Sequence, residues 1–356
     1  MGKPRRAIVV RRKRWPWVVL STVLVLILGV GAWVGVSAQN ALDAATQGQG
    51  GGAADLMIAK PLNGEETGRV NILLVGSSFD DSGHDGAVLT DSIMVASMDL
   101  KTHDVVLVSI PRDLWVQYRG ASMKINAVFP VAAGIPAGSA DLGDWRTGLN
   151  ELGLMAEDVT GLHINQHILV GYQALQEVVD AVGGIDVTIK STDPRGIWDP
   201  NAKIKLPTGP QQLDGSTALA LTRARNHPMP GERPYGIAGG DFDRAKNQQM
   251  VLQGVQKKVK ESPALANPAT VVQVFQTISR NVRMDLTVSQ IRRVMDLGTA
   301  SEKTKNLSVR GTDAKLLIHD AKVGGASVLV PNAGLHDYSA MRAYVAEACR
   351  PKAPSS

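Results

Sequence analysis

The chain has 356 residues, 38 Lys or Arg against 33 Asp or Glu, a formal charge of +5 and one cysteine. Seven of the basic residues (Lys3, Arg5, Arg6, Arg11, Arg12, Lys13, Arg14) precede residue 15 with no acid among them, so 38 less 7 leaves 31 basic against 33 acidic groups in the rest. A nucleic-acid footprint needs a basic domain, not a basic tail on a slightly acidic one, and a lone Cys349 excludes an intrachain disulfide.

In chain order, residues 1–16 read as a basic cytoplasmic tail. Residues 17–38 are 22 uncharged, mostly apolar residues, long enough to cross a hydrocarbon core as a helix. Positive charge before the span keeps the N-terminus cytoplasmic and sends the C-terminal mass outside. A cleaved signal peptide ending at Val36-Ser37-Ala38 is the rival, but the apolar run is longer than the usual signal core, which favours a retained anchor. Residues 39–68 read as a flexible linker, Ala- and Gly-rich at its start.

A layered α/β pattern follows. Strands are predicted at Val70–Val75, Ile93–Ala96, Val105–Ile110 and Ile185–Ile189, with a polar hairpin connection over Asp99–Asp104. Helices are predicted over 140–155, 172–182, 241–261, 268–281 and 287–298. Asp241 is a fair N-cap, and Asn267-Pro268 suits a cap and first-turn residue. The tail offers strands at Asn306–Arg310 and Ala326–Val330, then a helix from Asp337 to Cys349. The domain expected to carry the chemistry is 69–262, with 263–356 packed on it.

The densest chemistry lies in Leu219–Gln249, where Arg223, Arg225, Arg233 and Arg244 share one stretch punctuated by Pro228, Pro230, Pro234, Gly236, Gly239 and Gly240. Proline fixes φ and glycine admits positive φ, so the loop is shaped rather than helical. Planar guanidiniums brought together repel unless an anion lies between them, and their fork suits phosphate oxygens. Upstream, Pro111 ends an apolar strand and presents Arg112 and Asp113 at its carboxyl end, where open α/β sheets bind ligands. Lys124 and Asn126 supply a further cation and amide. Asp91, between Thr90 and Ser92, is either a turn cap or a ligand for a hard cation such as Mg²⁺. His163 and His167 are four apart, but Gly161 and Asn165 argue against a helix there and no third ligand is near, so zinc is not expected.

The ordered set Asn71–Ser77, Thr90-Asp91-Ser92-Ile93-Met94, Ser109-Ile110-Pro111-Arg112-Asp113, Lys124-Ile125-Asn126 and Gly183-Gly184-Ile185-Asp186-Val187 continues through Leu213-Asp214-Gly215 and Ala218-Leu219. It ends with Arg223-x-Arg225, Gly240-Asp241-Phe242-x-Arg244 and Gln248-Gln249. Over about residues 69–260 it resembles the LytR-CpsA-Psr family of cell-envelope proteins. The resemblance implies an α/β/α domain with a central mixed sheet behind one transmembrane helix. It implies an extracytoplasmic, membrane-anchored phosphotransferase moving a glycopolymer from a polyprenyl-diphosphate carrier onto peptidoglycan with Mg²⁺. Its partners would be the lipid-linked glycopolymer, peptidoglycan and membrane lipid, with no nucleic acid. Arg112, Arg223, Arg225 and Arg244 would hold the diphosphate. Lys124, Asn126, Asp241 and Gln248 would contact substrate, and Asp91 with Asp80 would hold the metal. Four positions depart from the family pattern: Ser78 replaces its aspartate, Leu89 its arginine before Thr-Asp, Asp243 its glycine and Asn247 its later arginine. A non-catalytic scaffold binding polyprenyl diphosphate or glycan is the alternative.

Overall fold

The computed structural model describes residues 59–350 except 78, 80–87, 137–138, 140, 192, 226–230, 232, 238–246, 249, 252–253, 256, 259–280, 301–302 and 313. The expected membrane span at 17–38 and the helix at 268–281 lie outside those residues, apart from Asn281. Of the helix at 241–261, described positions between 247 and 258 are helical. Among the described residues no helix is long and apolar enough to cross a membrane.

The organising element is a six-stranded mixed sheet. Its strands are β1 (Arg69–Ser77), β2 (Thr90–Asp99), β3 (Asp104–Ile110), β6 (Gln166–Gly171), β11 (Val282–Met284) and β12 (Lys303–Ser308), in the order β11-β6-β1-β2-β3-β12. β1, β2 and β3 form an antiparallel meander, β6 runs parallel to β1, and β12 runs parallel to β3. The small ribbons are β4 (Trp115–Tyr118) with β5 (Ala121–Lys124), β7 (Ile185–Ile189) with β10 (Gly209–Leu213), β8 (Ile197–Asp199) with β9 (Ile204–Leu206), β13 (Gly311–Thr312) with β14 (Lys315–Leu316), and β15 (Ile318–Val323) with β16 (Ala326–Pro331).

Both faces of the sheet are covered, because side chains alternate along each strand and both sets are apolar. Val70 and Ile72 of β1 face one core, built with α3 (Tyr172–Ala181), α4 (Gly215–Arg223) and α5 (Val288–Ala300). Leu73 and Val75 face the other, built with α1 (Val128–Ala132), α2 (Trp145–Thr160) and α6 (Ser339–Cys349). The result is the expected three-layer α/β/α architecture with a central mixed sheet.

Several elements differ from expectation. β6, next to the sheet's centre, is missing from the sequence reading, because it opens on the polar Gln166 and His167 and leaves only Ile168, Leu169 and Val170 as an apolar run. Both are nevertheless buried. The His163/His167 pair therefore sits at a strand rather than on a helix, and the two imidazoles have separate acid partners, Glu157 at 2.8 Å and Asp285 at 2.7 Å. His167 also closes on Gly153 of α2, where an added Cβ would fall 2.6 Å from Nε2. Arg223 ends a helix instead of opening a loop. Asp214 caps that helix by accepting from the Thr217 N–H at 2.7 Å, a signal that outweighs the loop's punctuation. The first strand of the tail comes earlier, at Lys303–Ser308 rather than Asn306–Arg310.

Candidate diphosphate site at the end of the sheet

The carboxyl ends of β1, β3, β6 and β12 and the amino end of β2 lie together, so five strand ends meet at one end of the sheet. Register brings Asp91 and Arg112 together there. In the β2–β3 ladder Ile93 stands opposite Ile110, and continuing that antiparallel register by two residues sets Asp91 opposite Arg112. On its other side β2 is irregular. Gly76 pairs with Ser92 and Ser77 with Thr90, leaving Asp91 as the extra residue of a bulge. Bulges re-aim a side chain next to a site, and this one frees Asp91 from the ladder. The Ser77 hydroxyl donates to the Leu89 carbonyl at 2.8 Å, closing the strand end.

Asp91 accepts on both oxygens. Arg112 Nη1 donates to Oδ1, and the Tyr172 hydroxyl donates to Oδ2. Tyr172 is the first residue of α3, placed at this end of the sheet because α3 follows β6 directly. Burial, then the Asp91 charge beside it, push the Tyr172 phenol well above its usual range, so it stays a donor. The Arg223 guanidinium lies over the same ring, 5.5 Å from its centroid, within cation–π range. That reach depends on close packing of α4 on α3. At Gly215 an added Cβ would meet the Gln176 carbonyl oxygen at 2.2 Å, and the Gly215 N–H donates to Asp180 at 2.7 Å.

Four of the other predicted site residues, Arg225, Lys124, Asn126 and Gln248, lie among the described residues. Arg225 stands two residues beyond Arg223, and its main-chain N–H donates to Asp199 of β8 at 2.5 Å, which fixes the chain as it leaves α4. Lys124 is ion-paired to Asp113 at 2.6 Å, and Arg112 Nε lies 3.6 Å from the same carboxylate, so Lys124 braces the Arg112 turn from within the protein. Asn126 is buried and works through its main chain, donating to the Arg112 carbonyl at 3.2 Å and accepting from the Thr90 hydroxyl at 3.2 Å. Gln248 Nε2 approaches the Thr222 carbonyl at 3.5 Å, beside Arg223. Arg244, Asp241 and Asp80 lie outside the described residues, as does Ser78. Asn247, which replaces an arginine of the family pattern, is buried.

Tyr172 is the residue that sequence reasoning missed. A tyrosine at a helix start carries no local signal. Recognising β6 would have put its end, and therefore Tyr172, beside the end of β1.

For a hard cation, no group of three or more His, Cys, Asp or Glu side chains is assembled among the described residues. Among the described carboxylates beside Arg112, Asp113 is taken up by Lys124, while Asp91 accepts one hydrogen bond described on each oxygen, which leaves a carboxylate oxygen room for a second partner. Mg²⁺ is commonly held by one or two carboxylates plus substrate phosphate oxygens. The donor set therefore fits the ion in company with a bound phosphate rather than as a closed protein cage.

A family model described as the LytR_cpsA_psr family matches residues 35–336. The chain is 32% identical over 224 residues to a polyisoprenyl-teichoic acid–peptidoglycan teichoic acid transferase, TagU, of Bacillus cereus (strain AH820), covering 62% of each protein. It is 25% identical over 254 residues to TagV of Bacillus subtilis (strain 168), with 69% of this chain and 58% of that protein covered. The chain thus spans about three-fifths of the length of these relatives. Among solved structures, the LytR-Csp2A-Psr enzyme from Actinomyces oris superposes with a TM-score of 0.54 at 18% identity, covering 82% of this chain and 93% of that one, and so shares the fold. With the match to the family model running well past the 69–260 stretch that carried the sequence resemblance, the chain belongs to the LytR_cpsA_psr family.

Proposed function

We propose that the protein is a membrane-anchored, extracytoplasmic phosphotransferase that moves a glycopolymer from a polyprenyl-diphosphate carrier onto peptidoglycan. The observation that carries this reading is the convergence of Arg112, Asp91, Tyr172 and Arg223 at one end of the sheet, with Arg225 following on. Phosphoryl transfer asks a protein for positioning and charge neutralisation more than for covalent help. Guanidiniums suit both needs, because they stay cationic and grip two phosphate oxygens at once. TagU and TagV, related at 32% and 25% identity, are named for transfer of a polyisoprenyl-linked teichoic acid to peptidoglycan.

In this mechanism Arg112 and Arg223 bind the diphosphate from two sides, with Arg225 as a third cation and Arg244 joining from the segment beyond. Asp91 orients Arg112 and is the described candidate ligand for Mg²⁺, with Asp80 as the second. The ion, when bound, supplies further neutralisation of phosphate charge. The acceptor hydroxyl oxygen bonds to the phosphorus that bears the glycopolymer as that phosphorus loses its bridging oxygen, which departs with the polyprenyl phosphate, and the hydroxyl proton is released to water. The basic residues before Trp17 hold the N-terminus in the cytoplasm, and residues 17–38 anchor the domain at the surface where lipid-linked donors lie.

The test is donor binding and turnover by the full-length chain and its Arg112→Ala and Arg225→Ala variants. Each substitution removes a charge-assisted contact, roughly 1.5–3 kcal/mol or about a 10- to 100-fold loss of affinity for a polyprenyl diphosphate. Unchanged binding in both variants rejects the cradle. Binding by the parent with no transfer to peptidoglycan, even after Ser78→Asp with Leu89→Arg, favours the scaffold. A reporter fused after Ala53 that reads as cytoplasmic rejects the membrane topology.

A further inference from the structure

Tyr172 touches more of the cradle than its position in the sequence suggests. Its hydroxyl donates to Asp91 Oδ2 while Arg112 donates to Oδ1, so the carboxylate is held from two directions and cannot swing about its own axis. One donor comes from the turn after β3 and the other from the start of α3. The face of the same ring carries the Arg223 guanidinium at 5.5 Å, from the end of α4. Three segments well separated in the chain therefore meet through one phenol. Arg112 is oriented through Asp91, and Arg223 is oriented through the ring.

We propose that Tyr172 is a positioning residue for diphosphate recognition: its hydroxyl fixes Asp91 against Arg112 and its aromatic face seats Arg223. This rests on the donor reading above. The two halves of the side chain have separable duties. Tyr172→Phe keeps the seat for Arg223 and removes only the hydroxyl's hold on Asp91. Tyr172→Leu removes both. A residue that merely filled space would change stability without this graded effect on a ligand.

The experiment uses the full-length chain in detergent, with calorimetric titration of inorganic pyrophosphate and of a polyprenyl diphosphate, each with and without Mg²⁺. Circular dichroism and the unfolding midpoint of each variant serve as the fold control. Tyr172→Phe is expected to weaken pyrophosphate binding about 3- to 10-fold, the usual worth of one hydrogen bond. Tyr172→Leu is expected to weaken it about 10- to 100-fold, because a cation–π seat is lost as well. In an Asp91→Asn background the Phe substitution should add little, since its partner carboxylate is already gone. A parent that binds both probes, with Phe and Leu variants indistinguishable from it, overturns the inference and leaves the donor reading standing. So does a Phe effect that is undiminished in Asp91→Asn. A folded parent that binds neither probe under any condition brings down the donor reading and the inference with it.

Discussion

Two arginine–aspartate pairs sit at opposite ends of the same three strands, and they are built differently. At one end Arg69 donates to Asp99 at 2.9 Å, to the Ser97 hydroxyl at 3.1 Å and to the Cys349 carbonyl at 2.8 Å, tying β1, β2 and α6 together. Asp99 in turn accepts main-chain N–H bonds from Lys101 and Thr102. At the other end Asp91 stands out of the ladder on a bulge, and the donors described for it are the side chains of Arg112 and Tyr172. A pair pinned by the backbone is part of the frame. A pair set on a bulge by side chains stands at the end of the sheet where an incoming anion can meet its arginine. The chemistry of the two pairs is the same, and their tethering sets their use.

That contrast can be broken by mutation. The largest effect on stability should come from Arg69→Ala, which strands a mostly buried Asp99 and frees the end of α6. We expect a loss of about 2–3 kcal/mol in denaturant unfolding, with pyrophosphate affinity unchanged. Burial alone would raise the Asp99 pKa, but the Thr102 and Lys101 amides and the Arg69 charge outweigh it and hold the group below its usual value. A depressed folded pKa gives a contribution present above about pH 4 and lost as pH falls through the folded value. The unfolding midpoints of the parent and Asp99→Asn should therefore converge under acid. If they stay apart by the same margin at low pH, the Asp99 charge is not what the frame uses.

Arg112→Ala should cost less stability, about 1–2 kcal/mol, while losing the donor affinity that Arg69→Ala retains. The reverse pattern would make the Arg112 end the frame and the Arg69 end the site. Smallest of all is the exposed Glu347–Arg350 pair at the end of α6, where both side chains are mainly in water and 2.7 Å apart. Glu347→Ala should shift unfolding by no more than about 0.5 kcal/mol. A larger loss would mean that proximity, not tethering, grades these pairs.

What the sequence conveys follows the same division. Strand ends marked by proline or a polar dipeptide are legible, so Arg112 after Ile110-Pro111 and Asp91 at the start of β2 are found without coordinates. Their meeting is not legible, because it depends on a register that places residue 91 across from 112 and on a bulge that no local pattern announces. β6 escapes because two of its buried residues are polar, each hydrogen-bonded or packed in ways only tertiary structure supplies. With β6 unread, Tyr172 has no address. Arg223 is misplaced onto a loop for the opposite reason: the proline- and glycine-rich stretch after it is conspicuous, while the cap that starts its helix is a single aspartate.

The sheet's two outermost strands, β11 and β12, are also its last in the chain. During synthesis β1, β2, β3 and β6 are complete while the residues that flank them, 282–284 and 303–308, are still to be made. Until then β6 and β3 each present an open row of amides and carbonyls, the kind of edge that recruits another chain. A gene truncated at residue 262 would leave both edges bare permanently. The product should aggregate even though it carries Asp91, Arg112, Tyr172 and Arg223. Expression boundaries for this protein are thus set by its sheet edges, the last of which ends at Ser308, about 60 residues beyond Gln248, the last of its candidate site residues.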